Sequence, residues 1–382
     1  WSPRFRLNVS VDRGDAGGKT EAEVFCERLI ICCGSAQKKS TKRLLESLGA
    51  TVEPTVPSLF SLLVHKEKAN DALGLEGTAC PDAEVKLILP KTSNSSSGKF
   101  GNSRTAGKFK IGESETPSLE EKKDDSKDAW ASGQGQNLDT GDIPSQRGPI
   151  LFTKDGLSGP ALLRLSAWSA HELAAVKYCG TLIINWAPFL GGVEEAAAAI
   201  RSVPSGTMTD PTDKSPIKRP AIRKKVLSEK SPWPGQVPTR LWERILLRSE
   251  GSEAAKDLEE LLALRFPSQK RYSLRQHKWQ RFESEDIATA LAKVVWPHLT
   301  SFTIEVAGRR EHKQEFVTAG GVSIDPKAHL NWDRMELWSV PGVHFAGEVL
   351  NVDGVTGGFN FQGCWSSGYV AGRAAAEIFS SE

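Results

Sequence analysis

The chain has 382 residues, of which 39% are hydrophobic and 25% are charged, and its formal net charge is +2. This composition is typical of a globular protein of two or three domains, and so small a net charge gives no general attraction to nucleic acids or membranes. The longest apolar runs are too short to cross a bilayer as helices. We therefore expect neither a nucleic-acid partner nor a membrane partner.

The cysteines and histidines favour a reducing compartment without a metal site. No two of the six cysteines form a C-x-x-C pair, and four lie in apolar runs, which predicts buried free thiols rather than a disulfide framework. The seven histidines show no metal-ligand spacing, so no metal is predicted. A cytoplasmic location follows, and an organelle stays open because the chain begins at Trp1 without methionine. The cysteines are Cys26, Cys32, Cys33, Cys80, Cys179 and Cys364.

The first part of the chain alternates polar and apolar residues in short runs, which predicts strands joined by turns. After residue 90 the sequence becomes rich in Ser, Gly, Lys, Asp and Asn, which predicts a disordered insert over 91–148. Strands are predicted over 4–11, 23–33, 55–64 and 84–89, and a short helix over 41–48.

The middle of the chain predicts a mixture of helices and strands. Pro160 suits the first turn of a helix that runs to Leu173. Repeated Pro, Lys and Arg predict a flexible basic insert over 203–237, which we interpret as a solvated linker. Strands are also predicted over 180–187 and 301–307, helices over 240–264 and 284–299, and a core containing Trp242, Leu246, Leu261 and Val295.

Residues 342–372 are the most informative part of the sequence. An apolar strand ends at Gly347-Glu348, a turn with three glycines follows, and then a helix begins. Glycine lets the backbone approach a bound group, and the start of the helix directs free N–H groups and a positive dipole at the same place. An anion or an electron-rich ring fits such a site. Gly368 and Gly372 predict tight packing of the helix on a sheet or a cofactor.

Four segments resemble one family, the FAD-dependent flavoproteins related to BaiN, YhiN and aminoacetone oxidase. They are LIICCGS (29–35), LFTKDGLSGPA (151–161), FVTAGGV (316–322) and FAGEVLNVDGVTGGFNFQ (345–362), the last continuing through SSGYVAG (366–372). The chain departs from the family pattern at Lys154, where His is usual, at Asn351, where Asp is usual, and at Phe359, where Tyr is usual. Because the segments keep their order over most of the chain, the resemblance is specific.

The resemblance implies an α/β fold with a glutathione-reductase-type FAD-binding domain. The family's first G-x-G-x-x-G turn has no counterpart here, so we expect an incomplete domain in a truncated chain. The FAD-binding domain is predicted over 1–52 and 315–382. A β-rich and helical substrate domain is predicted as an insertion over 53–90 and 149–314, with its helical part near 238–300.

The resemblance also implies site residues. Glu348 would accept hydrogen bonds from the ribityl chain of FAD, and the start of the last helix would face the N1–O2 edge of the flavin. Lys154, Gly156 and Thr318 would line the substrate cleft. The cofactor-binding candidates are Gly34, Gly320, Gly347, Glu348, Asp353, Gly357, Gly358, Phe359, Asn360 and Phe361.

Each candidate has a purely structural alternative. Glu348 could be a solvated carboxylate, Asn360 a helix cap, Gly34 an ordinary strand-to-helix turn, and Lys154 a surface lysine. The glycine pair after Thr318 could mark a β-bulge. These alternatives stay open at this point.

The predicted function is that of an FAD-dependent oxidoreductase. It would transfer hydride between the flavin and a small substrate, such as an amine, or NAD(P)H. No catalytic acid or base is assigned. The alternatives are a degenerate, non-catalytic relative that serves as a binding module and, less well supported, an RNA-modifying flavoprotein.

Overall fold

The computed structural model describes residues 4–11, 20–65, 74–90, 143–202, 231–250, 252–265, 284–310, 317–325 and 330–377. All of them belong to one compact unit. The strands are β1 Phe5–Val11, β2 Thr20–Cys26, β3 Leu29–Ile31, β4 Val52–Ser58, β5 Leu62–Val64, β6 Ala79–Ile88, β7 Gln146–Phe152, β8 Gly156–Ser158, β9 Gly180–Asn185, β10 Phe302–Arg309, β11 Val317–Val322, β12 Leu330–Asn331, β13 Glu336–Leu337 and β14 Val343–Phe345. The helices are α1 Lys39–Ser47, α2 Pro160–Trp168, α3 Ala170–Ala175, α4 Val193–Ser202, α5 Thr239–Ser249, α6 Glu253–Arg265, α7 Glu285–Thr300 and α8 Phe359–Glu377.

Six strands close into an antiparallel barrel in the order β10-β5-β8-β7-β6-β9. Closure leaves no strand edge of the barrel open to pair with another chain. Alternate residues of β6, among them Val85 and Leu87, are buried, and they join the larger of two hydrophobic cores. The barrel is therefore built from the period-two pattern that the sequence shows in this region.

Helices α4 to α7 contribute their apolar faces to the same core. In α5, Leu241, Trp242, Ile245 and Leu246 are fully buried, which is the spacing of one helix face. Of the predicted core residues, Trp242, Leu246 and Val295 are confirmed, whereas Leu261 is only partly buried because Leu258 and Leu262 face the core instead.

A second sheet, in the order β12-β13-β14-β3, carries the smaller core. Strands β14 and β3 are parallel, with Val343 opposite Leu29 and Phe345 opposite Ile31. Helix α8 packs against β3 and β14. Strand β11 pairs with β4 in a separate two-stranded sheet, and β1 pairs with β2 as a hairpin. Because β3 and β14 run in the same direction, the segments that follow them lie side by side.

Four long predicted elements are each divided in two, so those predictions were wrong in extent. Strand 55–64 breaks at Leu59, which has φ 57°, and its halves β4 and β5 join different sheets. The predicted strand 23–33 becomes β2 and β3, which pair with different partners. Ser169 separates α2 from α3, and Glu250, with extended backbone before Gly251, ends α5 ahead of α6. Helix α4 was not predicted.

The predicted inserts are shorter than expected where the structure describes them. Strand β7 begins at Gln146, inside the predicted insert 91–148. Trp233 and Val237, inside the predicted insert 203–237, are buried. The rest of both inserts, 91–142 and 203–230, lies outside the described residues. The domain division itself stays a prediction, although the β4–β11 pair joins residues from both sides of the predicted boundary at 52/53.

Candidate functional site

The site is built where the parallel strands β3 and β14 end. Glu348 lies in a 3₁₀ turn, Gly347–Val349, directly after β14, and Gly34 follows β3. A Cβ atom at Gly34 would lie 4.0 Å from Glu348 Oε2 and would meet no other atom within 4 Å. Gly34 also has φ +76°, a conformation that glycine adopts at no steric cost. A ligand that approaches over Gly34 therefore meets the carboxylate first.

Glu348 is held from strand β11. The N–H of Thr318 donates a hydrogen bond to Glu348 Oε1 at 3.1 Å, and the Thr318 hydroxyl accepts one from Ser35 Oγ at 2.9 Å. Burial raises the pKa of the Glu348 carboxyl, and the hydrogen bonds from the backbone and side chain of Thr318 partly offset this effect. Glu348 is therefore a half-buried carboxylate with fixed partners, not a solvated strand-end glutamate.

Two adjacent glycines, Gly320 and Gly321, allow β11 to lie very close to the backbone on either side of it. A Cβ at Gly320 would lie 2.1 Å from Pro54 O, and one at Gly321 would lie 2.5 Å from Val349 O. The pairing of β4 with β11 shifts register between Ala319 and Gly321, which is the predicted β-bulge. Neighbouring backbone explains both glycines without a cofactor.

Side chains also fix the loop from residue 351 to 358, which leads to α8. Asn351 Oδ1 accepts a hydrogen bond from the N–H of Gly320 at 3.1 Å, and Ser58 Oγ donates to Asp353 Oδ2 at 2.8 Å. The Asn360 amide bonds to both the N–H and the carbonyl of Gly354, at 2.8 and 3.0 Å. The structural alternative for Asn360, that it caps the helix, does not hold, because its side chain binds the preceding loop instead.

The first turn of α8 is open. Gly357 and Gly358 have φ +74° and +85°, and a Cβ at Gly358 would meet nothing within 4 Å. The first helical hydrogen bond runs from the N–H of Gln362 to Gly358 O, so the N–H groups of residues 359–361 have no partner within the helix. Gly354 of the preceding loop lies against this turn, since a Cβ there would be 3.1 Å from Asn360 N. The aromatic side chains of Phe359 and Phe361 are 58% and 69% exposed there.

Helix α8 passes beside the Glu348 turn. Cys364 Sγ would lie 3.5 Å from a Cβ at Gly347, which places this point of α8 beside the Glu348 turn. Phe359 is five residues earlier on the helix, about 7–8 Å along its axis at 1.5 Å per residue. The Glu348 turn therefore lies beside the second turn of α8 and not beside its first residue.

Two predicted substrate-cleft residues, Lys154 and Gly156, belong to the barrel. Lys154 is exposed in the tight turn between β7 and β8, which the Thr153 N–H closes by bonding to Gly156 O at 2.8 Å. Gly156 is buried in the barrel, where a Cβ would lie 2.0 Å from Leu62 O. No hydrogen bond or ion pair among the described residues joins Lys154 to the Glu348 turn.

Two further expectations need correction. A Cβ at Gly368 or Gly372 would meet nothing within 4 Å, so these glycines do not pack on a sheet, whereas their packing on a cofactor stays a prediction. Among the cysteines only Cys80 is buried, and Cys32 and Cys33 are exposed because they follow the short strand β3.

Within the described ranges, no group of three or more His, Cys, Asp or Glu residues could hold a metal, and no helix is long and apolar enough to span a membrane.

Sequence reasoning missed Ser35, Ser58 and Asn351 as partners of the site. Ser35 and Ser58 are ordinary polar residues at strand ends, and the residues that they contact lie 283 and 295 positions away along the chain. Asn351 was noticed only as a departure from the family pattern. No periodicity in the sequence indicates these contacts.

Comparison with known proteins gives one family and several relatives. The family model described as HI0933-like protein Rossmann domain matches residues 11–374. A 3-dehydro-bile acid delta(4,6)-reductase of Clostridium scindens is 41% identical over 78 residues, 20% of this chain and 18% of that protein. Ribosomal RNA dihydrouridine synthases of Escherichia coli and Haemophilus influenzae are 37% and 45% identical over 75 and 62 residues, 20% and 16% of this chain and 18% and 15% of those proteins. The matched segments therefore span less than a fifth of each relative.

Proposed function

Because the chain belongs to the family of HI0933-like Rossmann-domain proteins, we propose that it is an FAD-dependent oxidoreductase that works as a reductase. The match over residues 11–374 confirms the family resemblance found in the sequence. The observation that carries the proposal is the half-buried Glu348 carboxylate, which faces the open approach over Gly34.

The residues of the site fit the flavin end of FAD. Glu348 Oε2 would accept a hydrogen bond from a ribityl hydroxyl, and Gly34 leaves room for the chain to pass. The free N–H groups at the start of α8 would favour negative charge on a ring placed there. When bound, FAD supplies hydride chemistry that no side chain in the site can supply.

The names of the relatives support reduction rather than amine oxidation. A delta(4,6)-reductase acts on carbon–carbon double bonds of a bile acid, and dihydrouridine is uridine with hydrogen added across one double bond. We therefore propose a substrate with an activated carbon–carbon double bond, with NAD(P)H as the hydride donor. Ribosomal RNA is the second candidate substrate, because two of the relatives are named for it.

Flavin titration tests the cofactor part of the proposal. The purified chain is titrated with FAD, and binding is followed by flavin fluorescence and by the visible spectrum. Glu348→Ala removes a charge-assisted hydrogen bond, which corresponds to roughly a ten- to hundredfold weaker Kd. Glu84→Ala is the matched control, because Glu84 likewise accepts one hydrogen bond, from Ser145 Oγ at 2.7 Å, but on the barrel surface.

Turnover tests the reaction. The FAD-loaded chain is mixed with NADH or NADPH under nitrogen, and then with a steroid dienone or a uridine-containing RNA as the acceptor. Reoxidation of the flavin by either acceptor, with a saturated product, supports reductase function. A wild-type chain that does not bind FAD, or a Glu348→Ala variant with unchanged Kd, contradicts the proposed site. Binding of FAD without any turnover would favour the non-catalytic alternative.

A further inference from the structure

The segment that follows the Glu348 turn is bound to strand β11. Leu350 forms a parallel bridge with Val322, and the N–H of Asn351 donates a hydrogen bond to Val322 O at 2.8 Å. The Asn351 side chain makes a second contact, because its Oδ1 accepts a hydrogen bond from the N–H of Gly320 at 3.1 Å. Strand β11 therefore pairs with β4 and also binds residues 350–351.

The Asp353 side chain binds strand β4. Ser58 Oγ donates a hydrogen bond to Asp353 Oδ2 at 2.8 Å, and Ser58 is only 4% exposed at the end of β4. In the β4–β11 pair Ser58 lies opposite Val317, the residue before Thr318. Asp353 is thus directed towards a buried strand end. Together, Asn351 and Asp353 bind one segment, residues 350–353, to two strands that pair with each other.

This anchored segment, residues 350–353, begins directly after the turn that carries Glu348. Glu348 Oε1 accepts its hydrogen bond from the N–H of Thr318, in the same strand that binds the anchored segment. At the other end of the turn, the N–H of Gly347 donates to Ser367 Oγ of α8 at 2.9 Å. Without the anchors, side chains would hold the turn at one end only, and the half-buried Glu348 could rotate away from Gly34 into solvent.

We propose that Ser58, Asn351 and Asp353 are positioning residues that hold Glu348 Oε2 towards the space over Gly34, where the flavin ribityl chain binds. A carboxylate that is already fixed binds more tightly, because less conformational freedom is lost on binding. Asp353 acts through Ser58 and makes no contact with FAD, in contrast to the role that the family resemblance implies. This inference rests on the proposed function.

The test compares truncations of the anchors with a variant that keeps the anchor, and the Kd for FAD is the readout. Ser58→Ala and Asp353→Ala should each weaken binding by roughly three- to tenfold. Asp353→Asn keeps an acceptor oxygen for Ser58 and removes the charge, so its Kd should stay within about twofold of wild type. Ser145→Ala is the matched control, because it breaks a serine–carboxylate bond of 2.7 Å on the barrel surface, and it should leave the Kd unchanged.

Two double variants separate a positioning role from general destabilisation. Ser58→Ala combined with Asp353→Ala should bind FAD no more weakly than the weaker single variant, because both remove one bond. In a Glu348→Ala background, Ser58→Ala should change the Kd by less than about twofold, because the carboxylate that it positions is absent. A general loss of stability would weaken binding whether or not Glu348 is present.

Three results would overturn the positioning role. They are an unchanged Kd in Ser58→Ala and Asp353→Ala, equal losses with and without Glu348, and a loss in Asp353→Asn as large as that in Asp353→Ala. The last result would mean that the Asp353 charge itself binds the cofactor. If the truncations at Ser58 and Asp353 do not fold, Asp353→Asn and Asn351→Ala, each measured with and without Glu348, decide the question in the same way.

The outcomes distinguish this proposal from the one on which it rests. A wild-type chain that fails to bind FAD ends the proposed function. A wild-type chain that binds FAD, with weakened binding by Glu348→Ala but normal binding by Ser58→Ala and Asp353→Ala, ends only the positioning role.

Discussion

At the scale of single residues, Gly320 and Gly321 fix how closely β11 lies between β4 and the Glu348 turn. Gly320 has φ +95°, and a Cβ there would lie 2.1 Å from Pro54 O. Gly320→Ala must therefore move backbone as well as adopt a strained φ, and we expect a loss of roughly 3 kcal/mol or more in the free energy of unfolding. Urea unfolding of the flavin-free protein measures this loss.

Gly358→Ala is the matched control for this substitution. Gly358 has φ +85°, similar to that of Gly320, but a Cβ there would meet nothing within 4 Å. The control should cost only the conformational strain, about 1–2 kcal/mol. Equal losses in the two variants would show that backbone conformation, and not the close approach of Pro54, makes glycine necessary at residue 320.

At the scale of elements, α8 contains two glycines four residues apart, Gly368 and Gly372, each with open space where a side chain would lie. Glycine inside a helix has an entropic cost, and a Cβ at Gly368 or Gly372 would meet nothing within 4 Å. Gly368→Ala and Gly372→Ala should each raise the free energy of unfolding by roughly 0.5–1 kcal/mol. A loss of stability in thermal or urea unfolding would instead support the tight packing that the sequence predicts.

Arg334 connects the β12–β13 turn to the last turns of α8 through hydrogen bonds. Its guanidinium donates to Glu336 Oε2 at 2.8 Å and to Ala374 O at 3.0 Å. Burial alone would raise the pKa of the Glu336 carboxyl, but hydrogen bonds from Arg334 and the Gly342 N–H, with the charges of His344 and Arg334, hold it below its usual range. The folded state therefore favours the ionised carboxylate.

Stability should depend on pH accordingly. The pKa of Glu336 is lower in the folded than in the unfolded state. The ionised Glu336 carboxylate therefore contributes its full amount to the free energy of unfolding above the unfolded pKa of about 4.3, and this contribution is lost as pH falls through the folded pKa. Arg334→Met should cost roughly 1–2 kcal/mol at pH 7 and less at pH 3, which urea unfolding at both pH values measures. Arg373→Met, which removes an exposed i,i+4 pair with Glu377, is the control and should change little at either pH. An equal loss at both pH values would contradict the role of the ion pair.

At the scale of the whole molecule, the sequence predicted regular elements better than their ends and pairings. The helices over 41–48 and 284–299 were predicted because their apolar residues recur at helical spacing over several turns. The break at Leu59 depends on one left-handed residue, and the separation of α2 from α3 depends on Ser169. Closure of the barrel depends on the register between distant strands, which no local pattern encodes.

In the candidate site, too, some features could be predicted from the sequence and others could not. The resemblance indicated Glu348 and the glycine turn, and the structure places Glu348 beside Gly34. The contacts of Thr318 with Ser35 and with Glu348 could not be predicted, because they form only when β3, β11 and β14 are brought together. Family resemblance identifies positions, whereas the partners of those positions depend on tertiary contacts.

Two separate hydrophobic cores allow stability to be changed without changing the site. Trp186 is fully buried in the larger core, with ring centroids 5.4 Å from Phe152 and 5.8 Å from Phe302, and its indole N–H finds no hydrogen-bond partner among the residues that the structure describes. The residues around Glu348, such as Val349, belong to the smaller core. Trp186→Ala should therefore lower the free energy of unfolding by roughly 3–5 kcal/mol while the folded protein keeps its Kd for FAD.

Trp186→Phe separates packing from polarity in the same core. It keeps an aromatic ring against Phe152 and removes the unpaired N–H, so it should lose less stability than Trp186→Ala, on the order of 1–2 kcal/mol. Both variants are measured by urea unfolding, and their FAD affinity by fluorescence titration in buffer where each is folded. A Kd that rises in step with the loss of stability across the two variants would mean that the barrel core controls the geometry around Glu348. The two cores would then form one cooperative unit, and a change in the larger core would alter the site beside the smaller one.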